Sequence, residues 1–144
     1  MTSAGRMART GAACITIAVV LFILAACSSG GSGTPPPSGT CIKADAQNHL
    51  KISAKNVAFS VPCMEARSGK AIVIEFTNDE AVGHDIAVFS NASKSQELKK
   101  SDTITGPDAS TTITVPPQAP GHLYFECTIH PNMNGALVVT GSPS

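Results

Sequence analysis

Charge of one sign, long hydrophobic runs and helical periodicity are all missing from this 144-residue chain. Ten Lys and Arg residues balance ten Asp and Glu, and the basic residues are scattered. With no tryptophan and one tyrosine, there is no basic stripe interleaved with aromatic rings to track a phosphate backbone, so nucleic acid is excluded as an expected partner. The longest apolar run, about residues 12–26, is too short and wrongly flanked for a membrane-spanning helix. No internal repeat is present. These absences leave one modest domain behind a processed leader.

The N-terminus has the form of an export signal. Arg6 and Arg9 precede the apolar run, which closes on Leu24, Ala25, Ala26 and Cys27. That closing stretch resembles the lipobox of bacterial lipoproteins, which implies cleavage of residues 1–26 and acylation of Cys27 as the new first residue. Acyl chains there would make the protein extracytoplasmic and lipid-anchored to the bacterial cell membrane. Cleavage removes two of the ten basic residues and no acidic one, so the mature net charge is −2. Residues 28–40, SSGGSGTPPPSGT, hold too little apolar area to offset the entropy of ordering. With Cys27 they read as a tether, residues 27–40, leading to a folded domain at residues 41–144.

Five cysteines occur. Cys14 leaves with the signal and Cys27 goes to lipid, so Cys41, Cys63 and Cys127 remain. In an exported domain that odd set leaves one thiol over. Spacing alone does not settle the pairing. Cys41 and Cys63 both flank the first expected strands, whereas Cys127 has His130 and Met133 beside it, so a Cys41–Cys63 bridge is expected and Cys127 stays reduced.

Strand patterns dominate the folded part. In residues 71–77, AIVIEFT, Ile72, Ile74 and Phe76 share one face, and residues 82–89, 111–115, 121–127 and 136–140 carry similar short patterns. Residues 48–61 supply one or two more. Residues 90–110 form a polar connection with a helical turn expected near residues 96–100. Asn134 and Gly135 suit a turn with positive φ. Six to eight strands with turn signals between them imply an all-β fold, an antiparallel Greek-key β-sandwich or a Greek-key barrel. In residues 121–127 the alternation puts Leu123, Phe125 and Cys127 on the core face, so the thiol points inward. His49 and His122 fall on polar faces and read as surface histidines.

Taken singly, a buried cysteine is a small hydrophobe and a methionine is core filler. Together they read differently. Cys127, His130 and Met133 stand at i, i+3 and i+6 in CTIHPNM, and His84, in Gly83-His84-Asp85, is the candidate for a fourth donor from a neighbouring strand. Thiolate and thioether favour copper. Two histidines and one cysteine with a weak axial methionine form the arrangement of a blue-copper electron-transfer centre, whereas structural zinc more often takes additional cysteines. Pro131 removes one backbone donor and stiffens the loop.

Two stretches, NDEAVGHDIAVF at residues 78–89 and PGHLYFECTIHPNMNGALVV at residues 120–139, resemble the cupredoxins, in particular the small plastocyanin- and amicyanin-like members. The resemblance spans about residues 50–140. It implies His84, Cys127 and His130 as strong equatorial ligands and Met133 as the axial one, around one copper ion cycling between Cu(II) and Cu(I). It also implies a monomeric electron carrier rather than an enzyme, with extracytoplasmic redox proteins as partners. Where the family commonly has Pro-His-Asn, this chain has Gly83-His84-Asp85. An ionised Asp85 in the place of that Asn favours Cu(II) and lowers the reduction potential, whereas an Asp85 turned to solvent does little. A copper lipoprotein that delivers or buffers the metal without redox turnover would use the same ligands. A copper enzyme of the nitrite-reductase kind needs a second metal cluster, and the sequence offers none.

Overall fold

The computed structural model describes residues 40–141, and no helix occurs among them. The export signal, Cys14, the lipobox with Cys27, and the tether up to residue 39 lie outside the described residues. Ten strands form two sheets: β1 (Ile42–Lys43), β2 (His49–Lys55), β3 (Ala58–Phe59), β4 (Cys63–Arg67), β5 (Ile72–Asn78), β6 (Ala87–Phe89), β7 (Glu97–Lys100), β8 (Ala109–Val115), β9 (Gly121–Glu126) and β10 (Asn134–Thr140). One sheet has the order β1-β4-β10-β9-β6-β7, and the other β3-β2-β5-β8.

Period-two burial accounts for the long strands. Ile72, Ile74 and Phe76 are buried while Val73, Glu75 and Thr77 are partly open, and Leu50, Ile52 and Ala54 repeat the pattern next door. Across the sandwich Leu123, Phe125 and Leu137 face them. Phe59 closes the middle by meeting Phe76 and Phe125 edge-on at ring separations of 5.9 and 5.2 Å. At the far end, buried Asn48 sits at φ 70° and its side chain bonds Arg67 and Ala71 backbone atoms, a conformation asparagine tolerates well.

The all-β sandwich agrees with the sequence reading, but three details differ. The strands number ten, because two-residue pieces such as β1 and β3 pair without leaving a pattern in the sequence. The sheets are mixed: β1 with β4, β4 with β10, and β2 with β5 run parallel. Chain crossing between the sheets produces these pairs, and residue alternation does not record direction. Residues 97–100, expected as a helical turn, form strand β7 instead. Only Leu98 there is partly buried, so hydrogen bonding to β6 decides the conformation. Its two exposed lysines suit an edge strand, where charge discourages further pairing.

The β2–β3 hairpin turns through Asn56 and Val57, with φ of 55° and 53°. Both central residues of such a turn need positive φ, which glycine adopts freely and a β-branched residue resists. Val57→Gly is therefore expected to stabilise the protein by about 1 kcal/mol, read as a raised denaturation midpoint with unchanged slope.

Candidate metal centre

The parallel arrangement brings the ends of β2 and β5, the end of β9 and the start of β10 to one end of the sandwich. His84 arrives there on the segment after β5. Buried Asn78 pins that segment: its side-chain amide donates to the Val82 and Ile104 carbonyls, and its oxygen accepts the Glu80 amide. His84 then exchanges two backbone bonds with Ile104, at 3.0 and 2.8 Å, an isolated bridge that precedes β6. The Gly83 to His84 stretch expected inside a strand is thus a clamped loop whose side chain is completely buried.

Cys127 follows β9 directly, and its loop folds back in two tight turns. The His130 amide bonds the Cys127 carbonyl (3.2 Å), the Met133 amide bonds the His130 carbonyl (2.8 Å), and the Cys127 amide bonds the Met133 carbonyl (2.9 Å). Cys127 and Met133 are buried in the apolar core, His130 is half-buried, and Ile129, Pro131 and Asn132 are exposed around it. Cys41 and Cys63 are joined by a disulfide with Cα atoms 4.5 Å apart, and Cys127 is the free thiol among the described residues.

Three donors converge. Cys127 Sγ lies 3.7 Å from His84 Nδ1 and 3.7 Å from His130 Nδ1, and all three ligand atoms fall within 4.8 Å of one another. With metal–ligand bonds of about 2.0–2.3 Å, a trigonal ion holds sulfur and nitrogen roughly 3.7 Å apart, so both sulfur–nitrogen separations suit one shared metal, towards which the two imidazoles need only close. The two imidazole rings stand 4.8 Å apart at 50°. His49 and His122 are exposed and outside the cluster.

One supporting group, Glu80, is not among the residues the sequence singles out. His84 presents its Nε2 hydrogen to Glu80 Oε1 at 2.8 Å, which leaves Nδ1 as the acceptor facing the sulfur. The same carboxylate oxygen accepts the Val57 amide at 2.9 Å. The Val57 amide is the chief influence holding Glu80 below its ordinary value; burial opposes it and His84 assists. Glu80 lies on an irregular segment, where its position four residues before His84 carries no periodic signal.

Asp85 is buried, not turned to solvent. It accepts the Thr128 amide at 2.6 Å and the Thr128 hydroxyl at 2.5 Å, tying the His84 segment to the Cys127 loop. Lys100 Nζ reaches Asp85 Oδ2 at 3.2 Å. Burial pushes the Asp85 carboxyl up, but the Thr128 and Lys100 donors outweigh it and hold the group below the ordinary aspartate value of 3.8. A lowered folded-state value means the ionised group stabilises the fold above the ordinary value and loses that contribution as pH falls through the folded one. The stability advantage of the metal-free protein over Asp85→Asn is therefore expected to be constant near neutrality and to shrink below about pH 4, as acid titration of both melting temperatures would register.

Residues 14–139 match the family described as cupredoxin-like domain. No curated protein sequence matches the chain. Among solved structures, dithionite-reduced auracyanin from the photosynthetic bacterium Roseiflexus castenholzii is similar at 21% identity and a TM-score of 0.57, over 67% of this chain and 99% of that one. Auracyanin A, a "blue" copper protein from the green thermophilic photosynthetic bacterium Chloroflexus aurantiacus, aligns at 21% identity and a TM-score of 0.54, over 64% of this chain and 98% of its own. A reduced single-residue variant of amicyanin aligns at 19% identity and a TM-score of 0.50, over 67% and 86%. At these identities the likeness to solved structures is one of fold. The family match over most of the sequence goes further, and the chain belongs to the cupredoxin-like family.

Proposed function

We propose that this protein carries single electrons on one copper ion, held by His84, Cys127 and His130 with Met133 as a weaker axial ligand, between redox proteins outside the cytoplasm. The observation that carries this reading is the pair of equal 3.7 Å separations from the Cys127 sulfur to two imidazole nitrogens. When bound there, copper supplies a one-electron Cu(II)/Cu(I) couple.

The chain's own residues keep that couple fast. Asn78 and the Ile104 bridge hold His84, two tight turns hold His130 and Met133, and the core around Cys127 excludes water, so little needs to move when the charge changes. Glu80 fixes the His84 tautomer. Half-buried His130, ringed by exposed Ile129, Pro131 and Asn132, is the path to a partner. A brief, small docking contact suits such an exchange. The role is carriage, not catalysis.

Acylated Cys27 anchors the domain to the membrane in this reading. Strand directions favour a partner at the same membrane. β1 runs parallel to β4, and Cys63 in β4 lies beside Ala136, three residues past Met133. The chain therefore enters the domain near the end that gathers the metal donors. Cys27→Ala is expected to move the protein from the membrane to the soluble fraction.

The deciding experiment is a visible spectrum of the protein with Cu(II), followed by voltammetry. An intense band from thiolate-to-copper charge transfer with a reversible one-electron wave supports the carrier. Rapid copper loss to a chelating acceptor, with slow self-exchange, points to copper delivery instead.

A further inference from the structure

Asp85 directly follows a metal donor and its side chain is 1% exposed, yet it is a carboxylate. A buried anion without a counter-ion is strongly unfavourable. Lys100 provides the counter-ion from another strand. Its Nζ lies 3.2 Å from Asp85 Oδ2 and also donates to Thr128 Oγ1 at 2.8 Å. Thr128 gives Asp85 both its amide and its hydroxyl. Lys100, Asp85 and Thr128 thus close a ring across β7, the His84 segment and the Cys127 loop. Pairing of Lys100 with Ala87 brings β7 alongside β6, and Ser101 secures the junction by bonding the Ile86 amide at 3.0 Å.

We propose that Lys100 is a positioning residue for the copper centre, which neutralises Asp85 and fixes the Asp85–Thr128 clamp between the two donor segments. The proposal rests on the copper reading above. It goes beyond it by assigning part of the balance between Cu(II) and Cu(I) to a side chain that touches none of the donors. An isolated Asp85 charge beside the metal would favour Cu(II). With an ammonium 3.2 Å away the two charges largely cancel at the metal.

The Lys100 side chain is 39% exposed, so bonds to Asp85 and Thr128 hold its head in place more than packing does. Removal of Asp85 frees the ammonium to enter solvent, where water and salt screen it. The effects of Lys100 and Asp85 on the metal therefore do not add.

A double-substitution cycle on the full chain in detergent tests this, with two readouts. One is the Cu(I) to Cu(II) ratio at fixed ambient potential, read from the visible band; the other is the melting temperature of the metal-free protein. Lys100→Met is expected to shift the ratio about tenfold toward Cu(II), equivalent to about 59 mV for one electron. Lys100→Arg should shift it less than about twofold, since it keeps the charge. In the Asp85→Asn background, Lys100→Met should change the ratio less than about twofold and leave melting unaltered.

Equal shifts in both backgrounds overturn the proposal, as does no shift with Asp85 present. Lower melting with an unchanged ratio reduces Lys100 to a structural brace and also overturns it. If the unsubstituted chain shows no copper band, the parent reading fails and the proposal with it, while the metal-free cycle still shows whether Lys100 and Asp85 are coupled.

Discussion

Cys127→Ser will abolish the intense visible band of the copper-loaded protein and weaken copper binding by more than about 100-fold, beyond what loss of a supporting hydrogen bond does. The reason lies in what the sulfur contributes. Cys127 Sγ is the donor equidistant from both imidazoles, and it is fully buried. As a thiolate it brings the negative charge and the soft, easily polarised electrons from which a charge-transfer band arises. A serine hydroxyl stays protonated at neutral pH and offers a hard oxygen instead. The metal-free fold should survive, because the hydroxyl fills nearly the same volume and can bond either histidine nitrogen. Titration with Cu(II) followed by absorption measures both effects. A strong band remaining in the serine variant would falsify the assignment of Cys127 as the thiolate ligand.

Gly135→Ala is expected to destabilise the protein by about 3 kcal/mol and to loosen the metal loop, the upper part of the usual range for overpacking. A Cβ at this position would lie 2.4 Å from Phe125 Cζ, 2.5 Å from the Pro62 carbonyl oxygen and 2.8 Å from Phe125 Cε1. None of these can give way easily. Phe125 is fully buried against Phe59, and the Pro62 carbonyl accepts the Ala136 amide at 3.0 Å just before disulfide-bonded Cys63. Gly135 does not have positive φ, so the requirement is for space and not for a special backbone conformation, contrary to the turn read from the Asn134-Gly135 pair. As Gly135 lies two residues after Met133, displacement there should also lower copper affinity. Gly141→Ala, with open space around it, is the control and should change stability by less than about 0.5 kcal/mol. Denaturant melts of the two variants would compare them directly.

Much of the fold was legible because burial repeats every second residue along β2, β5 and β9, and that period is local. The inward direction of Cys127 followed from the same count. The pattern misled at Glu126, which shares the outward face with His122 but is nearly buried because Lys94 reaches it at 3.1 Å from a distant loop. It was silent for β7 and the parallel pairs, since edge pairing and strand direction depend on where the chain crosses between sheets.

By itself the sequence determined the donor types, their close spacing around Cys127, and an alternation that half-buried β-strands satisfy. These depend on chemistry and on neighbours a few residues away. Tertiary structure alone decided that His84 meets Cys127 from 43 residues away, that Glu80 orients its ring, and that Lys100 stands against Asp85. Contacts of that kind join segments far apart in the chain, and what selects them is the packing of two sheets and the hydrogen bonds that buried polar groups must find.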